Sequence, residues 1–475
     1  DPTAHPDAAM GRRSLVLNAM LRSKAISKAE AAAAKSAPLG AIERPDPNAT
    51  LTGSSAYFSS MVRTWTVRRF GERLAFGGGL TIETTLNGKM QGDAEKAVSS
   101  ILNKPDDPDA ALVSMADDGA VLAMIGGKDF KESAVNLAMN NHRPQAGSTF
   151  KPFVLASALQ HDIPVTQTFP GPAKKTIPFE GYPPYEVSNY SNESFGSINL
   201  TDATAHSVNT VYAQLASNVG LREVASSAHD LGIESKLPIV PSMSLGAANV
   251  SPYEMIRSYM TFANRGERIE PYFVRRVIDP KGHILYEADP SRRRVYDEKY
   301  ADVVNEVLTQ VIKKGTGKAA SIGKPAAGKT GTTSSNTDAW FVGYTPKIGT
   351  AVWLGYRQDT SRKMDNVHGR QVTGGSFPAQ IWQKFMKAAT QGVNTGQFTA
   401  ADPALMNAPQ IRTLDGSSGE PPETTTTAPP ESTTTSSVPE GSTTTTTPGG
   451  SSSTTSSSTS TTTTTAPPTS TTKPK

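Results

Sequence analysis

The chain has 475 residues, 35 prolines, 39 glycines, no cysteine and a formal net charge of +4. The lack of cysteine excludes disulfides, thiolate catalysis and Cys-based zinc sites. Residues 416–475 hold Glu420, Glu423, Glu431 and Glu440 against Lys473 and Lys475, so that stretch carries −2 and the remainder +6; a basicity this diffuse argues for an anionic polymer or envelope nearby and gives no footprint for nucleic acid.

No apolar run approaches the roughly 20 residues of a membrane span, and no signal peptide opens the chain. It starts at Asp1 without methionine and is read as a processed or excised fragment. Two short helices are expected between Arg12 and Lys35. The first carries the stripe Leu15, Val16, Ala19 and Met20; the second starts at Ser27, with Glu30 completing a capping box. Tyr57 to Phe70 has helical period, Leu80 to Leu86 reads as a strand after Gly77-Gly78-Gly79, and Met90 to Leu102 as a helix. Ala111–Met115 and Val121–Ile125 flank Asp117-Asp118-Gly119, a hairpin with a tight turn.

The centre of the chain is Gly147-Ser148-Thr149-Phe150-Lys151-Pro152-Phe153. Ser148 and Lys151 lie three apart and share a helix face. Pro152 costs little in a first turn, where its missing N–H has no partner anyway. Ser148 then sits at a helix N-terminus, where developing negative charge is favoured, and the amine beside it can act as its base. On these residues alone Ser148 can equally be an N-cap and Lys151 a solvated residue.

A Pro/Gly-rich stretch, 164–196, with Tyr182, Tyr185 and Tyr190, reads as an irregular loop. Leu200 to Gly220 has helical spacing broken at Ser207-Val208-Asn209, residues that bond locally to backbone. Ser251-Pro252-Tyr253-Glu254 starts a helix that stops at Gly266; Tyr272–Ile278 and His283–Glu287 form a hairpin; Glu298–Lys314 is a helix. Ala327-Gly328-Lys329-Thr330-Gly331-Thr332 reads as an edge strand whose small residues admit a ligand backbone, with a cation and two hydroxyls for a carboxylate. Its first half completes a phosphate-loop pattern from Gly323 to Thr330, but no apolar strand precedes it and strands follow where a helix is needed, so a nucleotide site is rejected. Phe377 to Gln391 is an amphipathic helix, and the fold is expected to end near residue 400.

Ser-x-x-Lys at 148, Ser-x-Asn 59 positions on and Lys-Thr-Gly a further 122 on form the signature set of penicillin-recognising serine acyltransferases. With Asn141-His142-Arg143, Ser244-Leu245-Gly246-Ala247, Asp338-Ala339-Trp340-Phe341-Val342-Gly343 and Gly374-Gly375-Ser376, the chain resembles the transpeptidase module of class A penicillin-binding proteins. Gly79–Leu86 is similar to their interdomain linker, and residues 11–39 to the last helices of their glycosyltransferase domain, whose acidic catalytic motif is absent. The resemblance implies an α/β fold: a five-stranded, mostly antiparallel sheet flanked by helices, with a helical subdomain. It implies a glycosyltransferase remnant over 1–45, a linker domain over 46–108 and a transpeptidase domain over 109–395. A Thr/Ser/Pro-rich tail follows over 396–475, too poor in apolar groups to order itself.

The same resemblance implies the site. Ser148 attacks a D-Ala-D-Ala carbonyl of a peptidoglycan stem peptide; Lys151 takes its proton; Ser207 relays it; Asn209 holds Lys151; Lys329 supplies a charge. Thr330, Gly331 and Thr332 bind the substrate, and the N–H groups of Ser148 and Thr332 form an oxyanion hole. It implies stem peptides and β-lactams as ligands, no metal or cofactor, and cell-division or elongation proteins as partners. It also implies a parent protein anchored through a missing N-terminal segment, at the extracytoplasmic face of a bacterial membrane. A D,D-carboxypeptidase, a β-lactam hydrolase and a non-catalytic sensor of the same fold are the rival readings.

Overall fold

A computed structural model describes residues 5–40, 55–139 and 143–411. Five strands form one sheet in the order Ala327–Thr332, Ala339–Tyr344, Ile348–Gly355, Asp109–Ala116, Val121–Ile125. Every neighbouring pair is antiparallel. The central strand is buried at all positions because both sheet faces are covered. Helices Gly88–Ser99 and Phe377–Ala389 cover one face. Helix Pro252–Ala263, backed by the helical half, covers the other. Trp382 locks the first layer: its ring meets Phe341 at 5.2 Å, and its indole N–H donates to Gly343 O and Thr350 O at 3.1 Å each. Truncating such a buried ring costs about 3–5 kcal/mol.

Local signals become local structure where the chemistry is specific. Ser27 and Glu30 form the expected capping box, as do Ser251 and Glu254. The hairpin at 109–125 turns through Gly119 at φ +89°, a conformation that suits glycine. The opening helix is longer than expected, Pro6–Arg22, because Pro6 and Asp7 suit a first turn; none of its residues is buried, and Leu15 and Val16 face outward.

Two expectations are corrected. The stretch 164–196 holds a hairpin, Lys174–Phe179 paired with Tyr182–Ser188, and Thr168–Pro170 pairs with Ser197–Asn199. Pro178, Pro183 and Pro184 hide the strand signal in sequence, yet a two-stranded ribbon tolerates proline because half its N–H groups face no partner strand. The fold also continues past residue 400. Phe398 packs edge-on against Tyr344 at 5.8 Å, Leu405, Met406 and Ile411 pack on the core, and Ile411 N–H donates to Gln167 Oε1 at 2.8 Å. The expectations for Asn141, His142 and the tail from 412 on lie outside the described residues.

Candidate active site

Three elements meet at the Ala327–Thr332 edge of the sheet. A 3-10 turn, Gly147–Phe150, runs directly into helix Lys151–Gln160, with Pro152 in its first turn. The Lys151 N–H bonds Ser148 O, which places the half-buried Ser148 hydroxyl at the helix mouth and the Lys151 side chain in the interior. Thr149 O would take the next 3-10 bond from residue 152, a proline with no N–H; the Tyr259 hydroxyl donates to it instead at 2.7 Å.

The second element is the break between helices Leu200–Ala205 and Asn209–Val219. Ser207 N–H bonds Thr204 O at 3.1 Å and Val208 N–H bonds Ala203 O at 2.9 Å, the paired bonds of a Schellman end. The residue at the left-handed position is Ser207, φ +58°, where glycine is usual. That conformation costs a side chain about 1–2 kcal/mol, and it turns both Ser207 O and Ser207 Oγ toward Lys151.

Lys151 Nζ reaches Ser207 O at 2.6 Å, Asn209 Oδ1 at 2.7 Å and Ser207 Oγ at 3.1 Å. The third element, strand Ala327–Thr332, brings Lys329 Nζ to the same hydroxyl at 2.9 Å and to Thr330 O at 3.0 Å. Ser207 Oγ therefore lies between two fully buried amines. Burial, then the Lys329 charge, holds Lys151 well below the ordinary lysine range. Burial brings Lys329 down to about 7. A neutral Lys151 has two N–H donors, which match Ser207 O and Asn209 Oδ1, and one lone pair. That lone pair is what a base needs, and Ser207 Oγ, accepting from Lys329 at 2.9 Å, keeps its own proton free to pass on.

The edge strand supplies the remaining groups. Thr333 N–H bonds Asp338 O at 3.1 Å. The alternation of an antiparallel ladder then turns the N–H of Thr332 outward, away from its neighbour strand. Thr330 Oγ1 meets Thr316 Oγ1 at 2.7 Å, and Thr332 Oγ1 accepts from Gly374 N–H at 3.0 Å. Gly331 is buried under the loop that carries Gly374. Hydrogen bonds thus join Lys151, Ser207, Asn209, Lys329 and Thr330, and Ser148, Gly331 and Thr332 lie beside them where the Gly147–Phe150 turn packs on the edge strand.

The Penicillin binding protein transpeptidase domain family matches residues 110–387. The chain belongs to that family. Penicillin-binding protein 1A of Aquifex aeolicus is 32% identical over 287 residues, 60% of this chain and 38% of that protein. Penicillin-binding protein 1A of Mycolicibacterium smegmatis is 30% identical over 428 residues, 84% of this chain and 53% of that protein. The chain spans about half or less of the length of these curated relatives. Among solved structures, penicillin-binding protein PonA1 of Mycobacterium tuberculosis is 28% identical with a TM-score of 0.66, covering 73% of this chain and 95% of that one. A structure of PonA1 in complex with penicillin V matches equally well.

Several motif residues of this transpeptidase domain turn out to build the cleft rather than react in it. Gly246, φ +84°, carries the segment that bonds Gly147 N–H at 3.0 Å; a Cβ there would stand 1.8 Å from Gly147 O. Trp340 Nε1 donates to Gln145 O at 2.9 Å, tethering the approach to Ser148. Asp338 accepts from Trp353 Nε1 at 3.0 Å. Sequence reasoning missed Ser188, whose carbonyl accepts from Asn209 Nδ2 at 2.9 Å, because it lies in the hairpin read as a loop. It also missed Tyr212, whose ring lies 5.3 Å from Lys151 Nζ. Its three-residue spacing from Asn209 was the available signal.

Proposed function

We propose that this chain is a peptidoglycan D,D-transpeptidase acting through a Ser148 acyl-enzyme and captured covalently by β-lactams. The observation that carries the reading is Ser207 Oγ suspended between Lys151 Nζ at 3.1 Å and Lys329 Nζ at 2.9 Å. Two buried amines on one hydroxyl are costly for stability, and a site tolerates them when they move protons.

Ser148 Oγ attacks the carbonyl of the penultimate D-alanine while neutral Lys151 takes its proton. The outward N–H of Thr332 and the N–H of Ser148 receive the oxyanion, a contribution of about 3–4 kcal/mol in such sites. The proton passes through Ser207 Oγ to the leaving D-alanine amine. The substrate lies along the open edge strand, its carboxylate beside Thr330, Gly331 and Thr332. That carboxylate favours the charged form of Lys329, which disfavours charge on Lys151. The amine of a second stem peptide then takes the acyl group and frees Ser148.

The family also supports an extracytoplasmic location at a bacterial membrane, with residues 1–45 and 46–108 as glycosyltransferase remnant and linker. Among the described residues no helix is long and apolar enough to cross a membrane. Incubation with a D-Ala-D-Ala-terminated pentapeptide and a stem-peptide acceptor, with products read by mass spectrometry, tests the proposal. Crosslinked dimer plus free D-alanine is expected; D-alanine without dimer at saturating acceptor identifies a carboxypeptidase instead.

A further inference from the structure

Tyr212 is fully buried between the parts of the site that must hold still. It lies on helix Asn209–Val219, one turn beyond Asn209, and its ring face stands 5.3 Å from Lys151 Nζ. Its hydroxyl lies 2.5 Å from Thr204 Oγ1, on the preceding helix. Thr204 Oγ1 also lies 2.6 Å from Leu200 O. A threonine has one hydroxyl proton, and a carbonyl can only accept, so that proton goes to Leu200 O. Tyr212 must therefore be the donor in the bond to Thr204.

This bond joins the two helices on either side of the Ser207–Asn209 break. Thr204 is the residue whose carbonyl accepts from Ser207 N–H at the helix end. Ser207 holds a left-handed conformation that a side chain disfavours, and such a residue persists where its surroundings fix it. We propose that Tyr212 is a positioning residue for the acylation step: through Thr204 it staples the two helices and holds Ser207 and Asn209 against Lys151. The carboxylate-binding groups, Thr330 and Thr332, belong to a different element; Thr330 is linked to this helix end indirectly, through Thr316, whose N–H bonds Ala205 O at 3.0 Å and whose Oγ1 meets Thr330 Oγ1 at 2.7 Å.

The inference rests on the proposed acyl-enzyme reading and is tested apart from it. The acylation rate constant is measured with labelled penicillin at saturation, alongside the reversible binding constant. Hydrogen exchange of the Ser207 and Val208 amides is followed in the same chains. Tyr212→Phe and Thr204→Val should each slow acylation about fivefold, the worth of one buried hydrogen bond. Reversible binding should change less than about twofold, and exchange at both amides should rise. The double variant should be no slower than Thr204→Val alone, because that variant already lacks the Tyr212–Thr204 bond. Thr204→Ser keeps the hydroxyl and should restore the rate. A general loss of stability would instead lower the fraction of chains that take one adduct, with the rate of the remainder unaltered. Parental acylation in Tyr212→Phe, unchanged exchange, or a Thr204→Ser chain as slow as Thr204→Val each overturns the staple. If the parent takes no penicillin at Ser148, the acyl-enzyme reading falls, and the exchange measurement still decides whether the staple exists.

Discussion

The two edges of the five-stranded sheet are treated in opposite ways. At the far edge, strand Val121–Ile125 is closed off. The Gln91 side chain mimics a further strand, accepting from Met124 N–H at 2.9 Å and donating to Met124 O at 3.0 Å. Val121 N–H bonds Tyr272 O at 3.1 Å, Leu122 O accepts from Asn87 N–H at 2.9 Å, and Thr85 Oγ1 donates to Val121 O at 2.6 Å. At the near edge, the N–H of Thr332 points away from the neighbour strand, and the site beside it holds two buried amines, Lys151 and Lys329, and the hydroxyls of Ser148, Ser207, Thr330 and Thr332. An uncovered sheet edge is a liability in a soluble protein. Covering one edge with side chains and leaving the other beside ionisable groups is what the proposed substrate mode, an extended peptide adding itself to the second edge, requires.

The largest separation of the two edges should come from the near one. Lys151→Arg replaces the amine with a group that stays protonated, so no base remains, and acylation should fall at least about 100-fold. Lys329→Arg keeps a cation of different shape and should retain part of the rate with weaker binding. Stopped-flow acylation of both variants checks this; a dead Lys329→Arg beside a fast Lys151→Arg reverses the assignment of the base. At the far edge, Gln91→Ala leaves Met124 without its two partners and should cost about 2–4 kcal/mol of stability, seen as a fall in Tm. The acylation rate of the folded fraction should stay at the parental value, since the far edge is on the other side of the sheet.

A smaller effect follows from Lys329. Its pKa is about 7 in the fold against an ordinary 10.5. Between those values the unfolded chain binds more protons, so stability rises with pH. The parent should gain Tm relative to Lys329→Met from pH 7 toward pH 10, and an unchanged difference across that window contradicts the assigned burial. Smallest of all is the C-terminus. Removal of residues after 411 should leave Tm and acylation unaltered, whereas truncation at 395 also removes Phe398, Leu405, Met406 and Ile411 and should lower Tm by several degrees.

How much of this comparison can be read in sequence follows from the range of each interaction. Ser148 with Lys151 and Ser207 with Asn209 are pairs within one helical turn or one break, so their spacing carries the geometry. Capping boxes at Ser27 and Ser251 are legible for the same reason. The far-edge cover is not: Gln91 meets Met124 across 33 positions, and glutamine on a helix has no signal that distinguishes an exposed amide from a buried one. The hairpin at 174–188 was hidden because prolines erase the alternation that marks strands. Tyr212 reads as ordinary core until Thr204 and Lys151 are placed around it. The packing of 398–411 rests on isolated apolar residues in a polar stretch, which carry no period.

The central claim is that the open edge holds a serine nucleophile with its base. Intact mass after exposure to penicillin tests it most directly. One adduct of the full penicillin mass per chain is predicted, mapped to the peptide containing Gly147–Lys151, and no adduct in Ser148→Ala, a change whose folding cost is about 1 kcal/mol. An adduct that persists in Ser148→Ala, or a parent chain whose mass does not change, contradicts it.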